Sequence, residues 1–398
     1  MIDRTPPAGF DADGIAPPPL PVRDWGIDSI ALDTAGRCNM ACRYCAEALT
    51  QPARPPMPAE MLERAVRFLL SFPARGSRSI HVGSGEPLLE LPLLRRLHDL
   101  VREAGDPRLS VHLTTNATLA TPEVRDWLVA SGWRIKVSLD GPSQVHDRWR
   151  PGRDGRGSYE LVAETVRDLA ARLPIERFSV NSVLCRGTDP EEVVGHLVLL
   201  GVRRIELVPV ASLDPGTALT PADSERYARF LMDHARRFLE TKEWGEIVFL
   251  AEFRKCIFRL MGYRLERINC TAGRSFLGIG PDGGLYPCFR FIGVEPHRLG
   301  RIETGLDRGA ARAFQRGAGR EYGLRAGCAA CWAGPLCGGP CFAVAEMFGP
   351  GDGRPLPVHC AFQFAEGRAA AWLVDHLRRH DPDRLLGFFP PGILEALA

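Results

Sequence analysis

The chain has 398 residues, 45% of them apolar and 25% charged, and a formal net charge of +2. That length supports two or three compact units, and the near-neutral balance excludes the broad basic field of a nucleic-acid-binding protein. No apolar run reaches the roughly 18–20 residues of a membrane span. The Pro- and Gly-rich stretch from Met1 to Asp24 lacks the basic and apolar regions of a secretory signal. A cytoplasmic protein with a disordered lead-in over residues 1–27 is expected.

From Ser29 to Val210 apolar β-like runs alternate with amphipathic helical runs. The expected strands are Ile30–Asp33, Ser79–Gly83, Ser110–Asn116, Arg134–Asp140, Arg177–Leu184 and Arg203–Val210. Between the first two, Met61, Leu62, Ala65, Val66, Leu69 and Leu70 recur at the spacing of one buried helix face. Thr121-Pro122, Asp189-Pro190 and Thr220-Pro221 each place an N-cap residue before a proline at the first helical position. The last of these starts a helix running to about Glu243. Six strand–helix units fall short of a closed eight-stranded barrel. The expected fold is therefore α/β, a partial (β/α)6 barrel over residues 28–215 with its chemistry at the C-terminal strand ends. A helical linker over 216–265 follows, with a helix over Phe253–Leu260. Residues 266–364 then turn dense in Gly, Pro and Cys and form a small segment that needs staples. A final helix, Ala365 to Arg379, lies in the tail 365–398.

Twelve cysteines are many for a chain of this kind, and ten fall into two groups. Such grouping points to metal or redox chemistry more often than to disulfides. Cys38, Cys42 and Cys45 form C-x3-C-x2-C in the loop after the first strand. Three thiolates can face one metal centre and leave a fourth position open, whereas a structural zinc site takes four ligands. At later strand ends come Gly83-Ser84-Gly85-Glu86-Pro87, Thr114-Thr115-Asn116, and Ser138-Leu139-Asp140-Gly141 followed by His146-Asp147-x-x-Arg150.

This ordered set resembles the radical S-adenosylmethionine superfamily, including the aromatic Tyr44 before the third cysteine. The resemblance implies a [4Fe–4S] cluster on Cys38, Cys42 and Cys45, with its open iron binding S-adenosylmethionine. Reductive cleavage of that cosubstrate yields a 5′-deoxyadenosyl radical, which takes a hydrogen atom from the substrate. It also implies cosubstrate contacts from Tyr44, from Gly83, Ser84, Gly85 and Glu86, from Thr115 and Asn116, from Ser138 at the ribose and from Arg150 at the carboxylate. On the sixth strand Ile205 occupies the position that packs on adenine. A low-potential donor such as flavodoxin or ferredoxin would supply the electron.

The second group is Cys270 and Cys288, framing C-x12-G-x4-C, then Cys328, Cys331, Cys337 and Cys341 as C-x2-C-x5-C-x3-C, then Cys360. Softness alone leaves zinc and iron–sulfur both open for a tetrathiolate. Order and gaps resemble the SPASM domain, which carries two auxiliary [4Fe–4S] clusters. That implies Cys270, Cys288 and Cys341 at cluster one, and Cys328, Cys331, Cys337 and Cys360 at cluster two. For cluster one, Cys256 is either the fourth ligand or a buried thiol, the latter leaving an iron open to substrate. Cys185, after the fifth strand, reads as a core thiol.

Within the superfamily the chain is similar to the peptide- and sulfatase-modifying branch. The sulfatase maturases place an Asp directly after the cysteine matching Cys288, and here Phe289-Arg290-Phe291 follows. The segment Tyr286 to Gly293 with Leu299-Gly300 is more similar to maturases of ribosomally made peptides. The leading expectation is an enzyme that oxidises or cross-links a residue of a precursor peptide or protein through a thioether or carbon–carbon bond. The alternatives are a formylglycine-generating sulfatase maturase and a non-catalytic metal-binding adaptor.

Overall fold

Alternation along the early strands sets the sheet of the computed structural model. Its strands are β1 (Ser29–Leu32), β2 (Arg78–Val82), β3 (Leu109–Thr115), β4 (Arg134–Ser138), β5 (Phe178–Leu184), β6 (Arg204–Pro209), β7 (Phe249–Leu250), β8 (Phe276–Ile279), β9 (Gly284–Tyr286), β10 (Gly300–Arg301) and β11 (Gly305–Leu306). The helices are α1 (Ala46–Thr50), α2 (Ala59–Leu70), α3 (Leu91–Ala104), α4 (Pro122–Ala130), α5 (Ser143–Trp149), α6 (Tyr159–Arg172), α7 (Pro190–Leu199), α8 (Pro221–Glu240), α9 (Ala251–Leu260), α10 (Arg308–Arg316), α11 (Gly334–Cys337), α12 (Phe342–Phe348), α13 (Pro357–His380) and α14 (Pro382–Gly387). The structure describes residues 5–7, 26–51, 53–74, 76–241, 243, 246–261, 270–316, 327–328, 330–339, 341–349 and 354–387. Most of the expected disordered lead-in, the linker beyond 261, the first residues of the cysteine-rich segment and the tail beyond 387 lie outside the described residues.

The chain divides into two compact units. The first joins Pro21–Leu173 to Cys270–Gly317, and the second joins Pro174–Asn269 to Ala318–Ala398 and Met1–Leu20. In the first unit the strand order is β11-β10-β9-β8-β1-β2-β3-β4. From β8 to β4 neighbours run parallel; from β8 to β11 they run antiparallel. The register aligns Leu277, Ile30, Ile80 and Val111 in one row, all buried. Each such side chain contributes about 1.5–3 kcal/mol by leaving water. Helix α2 buries Leu62, Ala65, Val66 and Leu69, four of the six residues of the stripe its periodicity predicts.

The place of β8 differs from the expected boundary at residue 266. The Phe276–Ile279 run pairs in parallel with β1, so 270–317 completes the sheet of the first unit. The physical reason is the unpaired edge that β1 would otherwise present. Gly278 permits the fit, since a Cβ there would stand 2.6 Å from the Cys288 carbonyl oxygen.

In the second unit β5, β6 and β7 are parallel neighbours. Thr220 and Asp223 form a full capping box at the start of α8, and Asp189 caps α7 through the Glu191 amide. Helix α8 ends at Glu240, three residues before the expected Glu243. Helix α13 begins at Pro357, not at Ala365, because proline suits a first helical turn. Cys360 therefore lies on its first turn. Tyr227 of α8 stacks on Phe362 of α13 with ring centroids 4.2 Å apart.

Between these helices lies a buried carboxyl, Glu366. It accepts hydrogen bonds from Tyr227 Oη at 2.9 Å and Gln363 Nε2 at 2.6 Å. Burial, then the nearby Glu252 carboxylate, raises its pKa to about 8. The ordinary glutamate value in an unfolded chain is roughly 4.3. Between those values the folded chain holds a proton that the unfolded chain releases, so stability falls as pH rises through that window. Urea midpoints should drop between about pH 5 and pH 8, and Glu366→Gln should flatten that slope; an unchanged slope in the variant would contradict the assignment.

Candidate active site

The loop after β1 carries Cys38, Cys42 and Cys45, all half-buried. Clamps inside the first unit fix its shape. The buried Asp33 carboxylate accepts the Gly36 amide at 2.9 Å and pairs with Arg54 Nε at 2.5 Å. Arg54 also reaches the Ile292 carbonyl, and Gln51 reaches that of Phe289, tying the loop to the stretch after Cys288. The turn after β2 closes on the residue before Cys38: the Glu86 amide donates to the Arg37 carbonyl at 2.9 Å. Gly85, at φ +60°, is required there, because a Cβ would stand 2.2 Å from that same carbonyl oxygen. The Gly85 amide donates to Glu47, two residues past Cys45, at 2.8 Å. On the other side Ala41 and Arg43 donate to the Pro151 and Trp149 carbonyls, both at 3.0 Å, and Met40 bridges Gly152.

Burial pushes the Cys38 thiol up, and it pushes Cys42 up to about 11, with Cys45 adding to both and Arg150 opposing the rise at Cys42. Such thiols ionise when a metal centre binds them. The Met40 amide and Asn116 Nδ2 point at Cys38 Sγ from 3.5 and 3.7 Å, a donor arrangement suited to a charged sulfur. Three thiols on one short loop suit a four-iron cluster that leaves one iron without a protein ligand.

The ends of β2, β3 and β4 meet beside this loop. Glu86 is fully buried, and its carboxylate accepts Thr115 Oγ1 at 2.6 Å and the Asn116 and Leu88 amides at 2.7 and 3.0 Å. It is a structural tie between two strand ends, with its oxygens already engaged. Ala117 follows at φ +60°, a left-handed position rare for a side-chain-bearing residue, stabilised by its amide donating to Thr115 Oγ1. Asn116, Asn39 and Thr118 form a closed amide–hydroxyl network.

Tyr44 Oη donates to Asp140 Oδ2 at 2.5 Å and accepts from Arg150 Nη1 at 2.7 Å. Burial opposes the charge on Arg150, yet Tyr44, Cys42 and Asp140 hold it firmly protonated. Its Nε is buried without a partner, a donor suited to an anionic group. The backbone around Arg150 is fixed by a relay. The Asp140 amide donates to His146 Nδ1, His146 Nε2 meets Ser158 Oγ at 2.9 Å, and Ser158 Oγ donates to the Arg150 carbonyl. Burial and Arg150 hold His146 down to about 3, so the ring is neutral. Asp147 accepts the Ser158 and Tyr159 amides. Gly83, Ser84 and Ser138 lie at the same strand ends, with Ser84 and Ser138 buried. The sequence reading missed Glu47, Asn39 and Ser158; only the closeness of Glu47 to Cys45 hinted at one of them.

Ile205 is the second residue of β6, fully buried, and it pairs with Val180 and Leu250. At ~3.3 Å per residue that is about 13 Å from the C-terminal end of its strand, where an adenine contact was expected.

The second unit holds a different thiol cradle. One pocket is lined by Cys328, Cys331, Cys337 and Cys360, with Gly339, Gln363 and Phe364. Burial pushes Cys337 up to about 12. Among the described residues no three His, Cys, Asp or Glu side chains converge on a single-ion site; four thiols around one pocket fit a larger cluster. Cys270 and Cys288 belong to the first unit, where the Gly273 amide donates to the Pro287 carbonyl and joins their segments. Cys341 is exposed at the start of α12 in the second unit. Cys256, on α9 of the same unit, is buried and has its thiol raised by burial and by Glu366. Cys185 is fully buried.

Residues 33–200 match the Radical SAM superfamily. The chain carries a radical SAM domain. That superfamily implies a [4Fe–4S] cluster and S-adenosylmethionine. A serine-type anaerobic sulfatase-maturating enzyme of Klebsiella aerogenes is 27% identical over 318 residues, covering 76% of each chain. An AdoMet-dependent heme synthase of Methanosarcina barkeri is 27% identical over 285 residues, covering 65% of this chain and 76% of its own. Among solved structures, anSMEcpe with bound AdoMet and the Cp18Cys peptide aligns at a TM-score of 0.71 and 19% identity, over 88% of this chain and 99% of that one. SuiB of Streptococcus suis bound to precursor peptide SuiA aligns at 0.59 and 16% identity, over 84% and 76%. The fold is thus the partial α/β barrel of radical SAM enzymes. No helix among the described residues is long and apolar enough to cross a membrane.

Gly85→Ala should displace the Arg37 carbonyl and with it the cysteine loop. The expected result is loss of roughly a third of the iron after reconstitution, read by iron analysis. Full iron binding by the variant would show that the turn does not hold the loop.

Proposed function

We propose that this radical SAM enzyme is a maturase acting on a peptide or protein, oxidising or cross-linking one of its residues. The observation that carries the proposal is the coexistence of a three-thiol loop at the barrel strand ends and a separate four-cysteine pocket. A reduced four-iron cluster at Cys38, Cys42 and Cys45 would supply the electron that cleaves the cosubstrate sulfonium. Overall, the substrate residue would lose one hydrogen atom, one proton and one electron. Auxiliary clusters, one of them on Cys328, Cys331, Cys337 and Cys360, suit the uptake of that electron.

In this reading the residues of the site bind and orient the cosubstrate. Arg150, positioned by the His146–Ser158 relay, offers its unpartnered Nε to the cosubstrate carboxylate. The backbone of Gly83, Ser84 and Gly85 approaches the methionine end, while Ser138, Thr115 and Asn116 serve the nucleoside side. Glu86 holds two of those strand ends together and acts on the cosubstrate through them. Tyr44 keeps Arg150 and Asp140 in register.

Formylglycine formation in a sulfatase is the second reading, favoured by the names of the two Klebsiella relatives. Against it, Phe289 follows Cys288, with an exposed ring under the Arg290 guanidinium and no carboxylate at that position.

Reconstituted protein should bind roughly twelve irons if three four-iron clusters form. With dithionite and S-adenosylmethionine it should release 5′-deoxyadenosine. Cys42→Ala should abolish that release, whereas Cys337→Ala should retain it and lose product formation on a peptide. Release by Cys42→Ala at the wild-type rate would refute the site assignment. A peptide substrate should lose about 2 Da, and a sulfatase peptide left unmodified beside it would separate the two readings.

A further inference from the structure

Strands β5 and β6 end level with each other, Leu184 beside Pro209. Proline has no amide to donate, so the ladder closes one residue later. There the Val210 amide donates to the Leu184 carbonyl at 3.0 Å. Val210 is buried, and beyond it residues 211–219 form no helix or strand. The turn after β5 is tied to this stretch and to α8, because the Arg186 amide donates to the Thr217 carbonyl at 3.0 Å and the Gly187 amide to Asp223 Oδ1 at 2.9 Å. The Val210 carbonyl accepts a hydrogen bond from His359 Nε2 at 3.1 Å.

His359 is buried and is the third residue of α13. The next residue, Cys360, lines the four-cysteine pocket. Both belong to the second unit, as do β5 and β6. The first turn of a helix is its loosest part, since its amides lack carbonyl partners within the helix. Here the His359 amide bonds the Leu356 carbonyl at 3.0 Å, and the Cys360 amide reaches the same carbonyl at 3.4 Å. One turn of backbone thus carries a thiol on the pocket and an imidazole on the last carbonyl of the β5–β6 ladder. Metal binding is coupled to local folding where a ligand lies on such a segment.

We propose that His359 is a positioning residue that makes the order of the β5 and β6 ends depend on the cluster held by Cys328, Cys331, Cys337 and Cys360. The proposal rests on the cluster assignment made above. A loaded cluster fixes Cys360 and the first turn of α13, and that turn places the His359 ring. The ring holds the Val210 carbonyl, and the Val210 amide holds Leu184. Without the cluster the turn frays, and a buried carbonyl loses its donor. Ligands of β/α barrels bind at the C-terminal strand ends, so filling the pocket tightens the binding of S-adenosylmethionine. Radical formation is thereby favoured in chains whose auxiliary centre is in place to take up the electron.

Hydrogen exchange of the reconstituted full-length protein, read by mass spectrometry, tests the coupling. A peptide spanning residues 205–214 should exchange at least tenfold faster in Cys337→Ala than in wild type. His359→Phe should show the same gain with its iron content unchanged. His359→Gln, whose side-chain amide can still donate to a carbonyl, should stay within threefold of wild type. In His359→Phe the KM for S-adenosylmethionine in 5′-deoxyadenosine release should rise at least tenfold, with kcat changed by less than threefold. Wild-type exchange in a Cys337→Ala protein that has lost iron overturns the coupling. Wild-type exchange in His359→Phe, or an equal loss of protection in His359→Gln, overturns the role of the ring's hydrogen bond. A KM within threefold of wild type in His359→Phe overturns the effect on the cosubstrate. A full complement of iron in Cys337→Ala overturns the cluster assignment instead.

Discussion

The buried carboxylate of Glu86 is the tie on which the arrangement of the site depends. It joins the end of β2 to the end of β3 through Thr115 and Asn116, and the amide of the same residue grips the carbonyl that precedes Cys38. A carboxyl in a dry interior is stabilised only by the donors aimed at it. Burial raises its pKa, and the Thr115, Asn116 and Leu88 donors offset only part of that rise. Any displacement of β3 therefore exposes an unsatisfied charge, which penalises deformation far more than packing alone would. Glycine at position 85 lets this tie come within contact distance of the cysteine loop.

A second constraint acts from the side of β4. Tyr44, Asp140 and Arg150 share a phenol bridge, and the neutral His146 ring passes backbone order from Asp140 to Ser158 and back to Arg150. Thus the H-D-x-x-R run has a division of labour. His146 and Asp147 build the turn, and only Arg150 directs a charged group toward the loop thiols. The site is preorganised from two directions, as binding of an anionic cosubstrate requires.

Most of the barrel was legible in the sequence, because period-2 runs and capped prolines are local signals. All six barrel strands appear within a residue or two of expectation, and the thiols of Cys328, Cys331, Cys337 and Cys360 do gather at one pocket. What was not legible depends on long-range pairing. The β8–β1 ladder joins residues about 250 apart, and nothing in Phe276–Ile279 names its partner. The depth of Ile205 along its strand is likewise a matter of register, to which motif order is blind. A glycine-rich turn after a strand reads the same whether its acid, here Glu86, faces a ligand or a neighbouring strand end.

The pairing of β1 with β8 also has a consequence during synthesis. The ribosome makes β1 early, yet the strand that covers its open edge emerges some 250 residues later. At ~5–20 residues per second that interval lasts roughly 12–50 s. Through it the nascent chain exposes an apolar β edge, open to wrong pairing with other chains. Chaperone capture of the emerging polypeptide, and slow translation-coupled closure of the sheet, are the biosynthetic demands this topology imposes.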